Sequence, residues 1–244
     1  MSLPSLFLIP LLWVSLLLAV ATPAQADGDD LAELQQKLGN QWVEVRNDRK
    51  RSIRTWVKQE DQKAYRSFKV EATLEGSLET YARIMLDFEN YHKWYWEVLE
   101  SRLLKKVSAT EYYLYFRHRT PHGIPMRDAV LHAVVEPQVR GRNFILMTVR
   151  AEPDYIPAKN GLVRMTAEDM TARFTPLPGN RVRVEAEGYV DPGGRIPAWA
   201  SNYVQRAAPY SIMLGMQRML DTQDFDARTP LPFPILGIND ISTR

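Results

Sequence analysis

The sequence predicts an α+β domain in which one antiparallel sheet buries a face against a long C-terminal helix. Three observations carry this. Most of residues 42–190 reads as strand-like segments with period-two alternation, separated by charged or Gly/Pro turns. Two short helical segments interrupt that run at a single place. The closing segment then repeats apolar residues at three- and four-residue steps, which is a helical period.

In chain order, Asp29 or Asp30 caps a short helix carrying Leu31, Leu34 and Leu38 on one side, stopped by Gly39-Asn40. A meander follows, with strands near 42–46, 53–58 and 65–74 divided by the turns NDRK and QEDQK. Gly76-Ser77 opens a helix in which Leu78, Tyr81, Ala82 and Met85 share a side, and NYHKWYW forms a second, aromatic helical turn. Strands resume over 98–105, 112–118, 128–136, 144–150, 170–176 and 181–190. After Asp-Pro-Gly-Gly the last helix starts near Pro197, a residue suited to a first turn, and runs to about Leu220, with Pro209 expected to kink it. Its apolar face is assigned to Trp199, Tyr203, Ala207, Tyr210 and Leu214, with Met213 beside them. Residues 223–244 contain Pro230, Pro232 and Pro234 and read as an extended, Pro-rich tail.

Composition narrows the function. With 244 residues, 45% hydrophobic and a net charge of +2, the chain suits one core of roughly 200 residues plus extensions, and gives no charge argument for nucleic acid. The absence of cysteine excludes a disulfide scaffold, a thiolate metal site and a cysteine nucleophile. Residues 1–26 have an apolar run and end in Ala24-Gln25-Ala26, a pattern that signal peptidase cuts after Ala26. The other reading of this leader is an uncleaved anchor, against which Pro4 and Pro10 count. Both readings place the domain outside the cytoplasm, periplasmic or secreted.

Four motifs in order carry a family resemblance: YHKWYWEVLESRLL with Trp94 and Val98; PMRDAVLHA with Arg127-Asp128; IPAKNGLVRMT with Pro157, Gly161 and Arg164; and YVDPGGRIPAWASN leading into the last helix. Over residues 41–222 the chain resembles the steroidogenic acute regulatory protein-related lipid transfer (START) domains. The resemblance implies a helix-grip fold, a curved antiparallel sheet wrapped around the C-terminal helix, with an internal apolar tunnel that holds a lipid or other apolar small molecule. It implies binding and carriage or sensing rather than catalysis. Sterol-binding members have an acidic and a basic side chain facing each other in the tunnel, and this sequence has Leu114 and Ala133 at those two positions.

Alternation puts Tyr112, Leu114, Phe116 and His118 on one face of their strand, and Ala129, Leu131, Ala133 and Val135 on one face of the next. The expected tunnel wall combines Tyr112, Leu114, Phe116, Leu131, Ala133 and Met147 from the sheet with Trp199, Tyr203, Tyr210 and Met213 from the helix. His118 and Arg164, with the two tyrosines, are the candidates for polar recognition near a tunnel end. Arg127-Asp128 has two readings, a headgroup clamp or a charged pair fixing the strand entrance. The cluster Arg46, Arg49, Lys50, Arg51 and Arg54 reads as a solvated hairpin or as a transient contact with an anionic membrane surface. No metal or cofactor is expected: Pro121 and Gly123 stop His118 and His122 from sharing a helix face, and no G-x-S-x-G, H-E-x-x-H or phosphate-binding loop is present. Glu97, Glu100 and Asp128 are taken as surface carboxylates. Two other functions stay open, a helix-grip superfamily enzyme such as a cyclase or hydrolase using His118 or Arg164, and an interaction module using the tail. A monomer is expected.

Overall fold

The computed structural model describes residues 40–61, 63–196 and 198–236. The expected leader, nearly all of the 27–40 helix, and the tail beyond 236 lie outside the described residues.

Among the described residues ten strands form one sheet. The first three, β1 (Val43–Asp48), β2 (Ile53–Lys58) and β3 (Ser67–Glu75), form the expected meander. Helix α1 (Leu78–Leu86) and a 3-10 turn (Phe88–Lys93) interrupt it. Ser77 caps α1, its hydroxyl accepting from the Thr80 N–H at 3.1 Å, and Leu78, Tyr81, Ala82, Ile84 and Met85 form the buried side. A cap of this kind is worth about 1 kcal/mol.

The sheet then continues as β4 (Val98–Lys106), β5 (Glu111–His118), β6 (Arg127–Glu136), β7 (Ile145–Ala151), β8 (Val163–Arg164), β9 (Ala167–Leu177) and β10 (Arg181–Asp191), and helix α2 (Ala198–Thr222) closes the domain. The strand order is β1-β2-β3-β10-β9-β7-β6-β5-β4, antiparallel throughout, with β8 pairing parallel to β6 off this path. The last strand therefore sits beside the third, which joins the two halves of the sheet. Register shifts interrupt only the pairings of the two outermost strands, β1 with β2 and β4 with β5. Bulges there bend the sheet and leave its edges poor templates for another chain.

Helix α2 packs on β2, β3 and α1. It approaches closely because position 215 is glycine: a Cβ there would stand 2.2 Å from the Trp94 carbonyl oxygen. Pro209 removes one rung of the helical ladder, yet the helix runs through it as one element. Among the described residues, no helix is long and apolar enough to cross a membrane. The described part of the Pro-rich segment, 223–236, has no helix or strand and is docked on the domain. Phe233 is buried in the main core with Leu231 and Ile235 packed beside it, and Arg83 donates to the Thr229 carbonyl at 2.6 Å. Residues 231, 233 and 235 alternate with prolines, so they share a side as strand residues do.

Candidate functional site

Between the sheet and α2 lies a cavity of about 130 Å³. From α2 it is lined by Ala200, Val204, Ala208 and Ile212, a stripe at four-residue spacing, and from the sheet by Met170 and Val190. A second cavity of about 50 Å³ continues deeper, walled by Leu114, Phe116, Leu131, Met147, Met213 and Met216. Tyr95, Met170 and Ile212 border both and stand between them.

Polar side chains interrupt this apolar wall, among them Glu168, His118, Arg127, Thr120 and Gln205. Glu168 is 5% exposed on β9, on the inward side with Met170, Ala172 and Phe174. Tyr95 donates its hydroxyl to Glu168 Oε1 at 3.2 Å. His118 Nε2 stands 3.3 Å from Glu168 Oε2, but among the described residues neither atom makes a hydrogen bond. Burial, and then the Glu168 charge, push the Tyr95 hydroxyl pKa well above its ordinary value, so Tyr95 stays a donor.

Two arginines tie down the loops at this end. Arg127 lines the cavity and donates to the carbonyls of Pro125, Pro192 (3.4 Å) and Gly193 (3.3 Å). Its neighbour Asp128 points to the other face and accepts two bonds from Arg164, Nε to Oδ1 and Nη2 to Oδ2, each 3.0 Å. Arg164 also donates to the carbonyls of Pro153, Ile156 (3.0 Å) and Pro157 (3.3 Å).

The family model for the START domain matches residues 25–224. The chain belongs to the START family. Among solved structures, a STAR-related lipid transfer protein from Xanthomonas axonopodis is 26% identical with a TM-score of 0.66, over 74% of this chain and 98% of that one. Human STARD10 shares the fold at 18% identity and a TM-score of 0.63, over 81% of this chain and 82% of its own. An uncharacterized protein of Pseudomonas aeruginosa is 24% identical over 153 residues, 63% of this chain and 74% of that protein.

Within this START domain the expected wall residues separate. Leu114, Phe116, Leu131, Met147 and Met213 line the deeper cavity, and His118 lines the larger one. Tyr112 and Ala133 are buried but border neither, Tyr112 standing instead in a groove against the tail. Tyr203 corrects the helix phase: it is 55% exposed and packs on Trp96 outside the cavity. Tyr210 is buried on another side, donating to Asp48 Oδ2 at 2.6 Å beneath the Arg46 guanidinium. The side chain of Trp199 lies outside the described residues. Arg164 clamps a loop rather than facing the cavity, and Asp128, fully buried, is no surface carboxylate. Arg127 and Asp128 do not pair with each other.

The true helix stripe was present as 200, 204, 208, 212 and 216, but two of its five members are alanines, which carry less hydrophobic weight than the aromatic Trp199, Tyr203 and Tyr210 along the same helix. Glu168 was missed because the strand expected over 170–176 begins at Ala167. Extended by period two, it puts a carboxylate on the inward face. In the basic hairpin all five cations are exposed; Arg51 pairs with Asp48 at 3.1 Å, Arg54 with Glu44 at 2.7 Å, and Arg46 lies over the Tyr210 ring. Among the described residues no group of three or more His, Cys, Asp or Glu side chains converges as a metal site.

Proposed function

We propose that this START domain binds one apolar small molecule, a lipid or similar, between the sheet and α2, and carries or senses it outside the cytoplasm without converting it. The observation that carries the proposal is the apolar cavity itself, walled by aliphatic, methionine and aromatic side chains. Cavities of about 150 Å³ lined by Leu, Ile and Phe admit benzene, so the larger space already accepts a small apolar group. A longer ligand fills both cavities once Tyr95, Met170 and Ile212 rotate. Exposing an acyl chain to water costs about 0.8 kcal/mol per CH₂, so a 16-carbon chain faces on the order of 12 kcal/mol, which a protein wall removes. The lipid-transfer name of the Xanthomonas relative and the leader at residues 1–26 support carriage outside the cytoplasm. Transient membrane contact through Arg49 and Lys50 suits loading.

The test is organic extraction of purified protein followed by mass spectrometry, together with binding of the neutral dye Nile red. A co-purified apolar molecule, and dye binding lost in Ile212→Trp without loss of fold, support the proposal. Protein that is empty and takes up no dye overturns it. The His118–Glu168 contact inside an apolar cavity favours one second reading, an enzyme using that pair for proton transfer. Turnover of a bound molecule that His118→Ala abolishes while binding persists would establish it.

A further inference from the structure

The buried Glu168 and His118 side chains give the cavity a chemical preference that an apolar wall alone lacks. Both residues line the larger cavity, their nearest polar atoms lie 3.3 Å apart, and each of those atoms is without a hydrogen bond among the described residues. A buried carboxylate oxygen without a donor costs free energy whatever the rest of the fold does. The remaining Glu168 oxygen is already served by Tyr95. Arg127, the nearby cation of the same wall, is turned to the carbonyls of Pro125, Pro192 and Gly193. Thr120, also in the wall, donates to the Ile124 carbonyl at 2.6 Å.

We propose that Glu168 and His118 form the polar end of the binding site and select an apolar ligand bearing a neutral hydroxyl. This rests on the carrier reading above. A hydroxyl both donates and accepts, so one oxygen placed between the two side chains donates to Glu168 Oε2 and accepts from His118 Nε2–H. Bonds of ordinary length around one tetrahedral oxygen need the two atoms about 1 Å further apart than they stand, a small rotation of the His118 ring. A ligand carboxylate or phosphate meets like charge at Glu168 in an environment that screens it poorly. An ether accepts but cannot donate, and leaves the carboxylate unsatisfied. The site is built from the last residue of β5 and from the second residue of β9.

The experiment measures displacement of Nile red from the full mature chain by matched compounds on two skeletons: hexadecanol, its methyl ether and palmitic acid, and cholesterol with its methyl ether. On at least one skeleton the alcohol binds about 10- to 100-fold tighter than its ether, the range expected for one hydrogen bond to a buried charge, and palmitic acid binds no better than the hexadecyl ether. In Glu168→Gln, which keeps the side-chain shape, and in Glu168→Met, the alcohol's advantage falls to about 2-fold while ether binding is retained. Equal binding of alcohol and ether on both skeletons, tightest binding of the acid, or an advantage that survives in both Glu168 variants overturns the inference and leaves the carrier reading standing. Failure of Nile red and all the compounds to bind overturns both.

Discussion

Replacing Arg164 by methionine isolates the energetics of the clamp beneath the cavity. Asp128 is fully buried and its carboxylate is served by both arms of the Arg164 guanidinium at 3.0 Å. Removing the guanidinium strands that charge in the interior, a change that costs about 3–5 kcal/mol. It also releases the carbonyls of Pro153, Ile156 and Pro157, which reach water once the loop relaxes and add little. A domain of 150–250 residues loses about 2–4 °C per kcal/mol, so the melting midpoint falls by about 6–20 °C. The double variant Asp128→Leu/Arg164→Met recovers much of this, because removing both members of a buried pair leaves no orphan charge. Circular dichroism melts and urea titrations measure both. A loss under about 1 kcal/mol in Arg164→Met, or a double variant no more stable than the single, would refute the assignment of Asp128 and Arg164 as a mutually dependent buried pair.

Gly193 has φ +66°, and a Cβ there would stand 2.5 Å from the Arg164 carbonyl oxygen, so Gly193→Val lowers the melting midpoint by several degrees; an unchanged midpoint shows that the corner yields freely. Phe233→Ala, which empties a core position, costs about 3 kcal/mol or more in urea unfolding, whereas a free tail would show no change. Arg66 is 2% exposed with its guanidinium unpartnered among the described residues, and burial and then Arg206 lower its pKa; Arg66→Met therefore raises the urea midpoint, and a lowered one refutes this. The Tyr210 hydroxyl, with Arg51, holds the Asp48 carboxyl at about 2, and Ser67 with Lys63 holds Glu60 at about 2. These folded-state values lie below the ordinary carboxylate range of about 4, so their contribution is full above that range and disappears as pH falls toward 2. Melting midpoints from pH 6 to 2 should drop over the last two units, less steeply in Tyr210→Phe.

The sheet was legible because a strand with one face in the core writes its pattern every second residue, as Tyr112, Leu114 and Phe116 do on β5. Strand β8 was invisible, since two residues carry no period and its pairing depends on a partner 36 residues earlier. The helix was placed to within a few residues, but its phase was not. Several apolar stripes ran along it, and which one faces the cavity follows from the glycine contact at Trp94 and from packing on β2 and β3, neither local in sequence. The helix side of the candidate site escaped the reading for a related reason. Its lining there begins with the small residues Ala200, Val204 and Ala208, because a cavity must be left unfilled, and a search for hydrophobic bulk selects residues that fill space.

The same geometry explains why the polar residues gather at one end. Strand β6 begins with Arg127 facing inward and Asp128 outward, so one step along the strand divides the cavity from its outer wall. The inward residue holds the corner at Pro192 and Gly193; the outward one, through Arg164, holds the loop from Pro153 to Pro157. Since β8 pairs Val163 and Arg164 with Arg127 and Asp128, and Gly193 lies against the Arg164 backbone, the two loops meet at the point where both are tied. The charged residues at the start of β6 are thus engaged in holding the two loops, and on the carrier reading that leaves recognition to the uncharged stripe of α2 and to the Glu168–His118 pair.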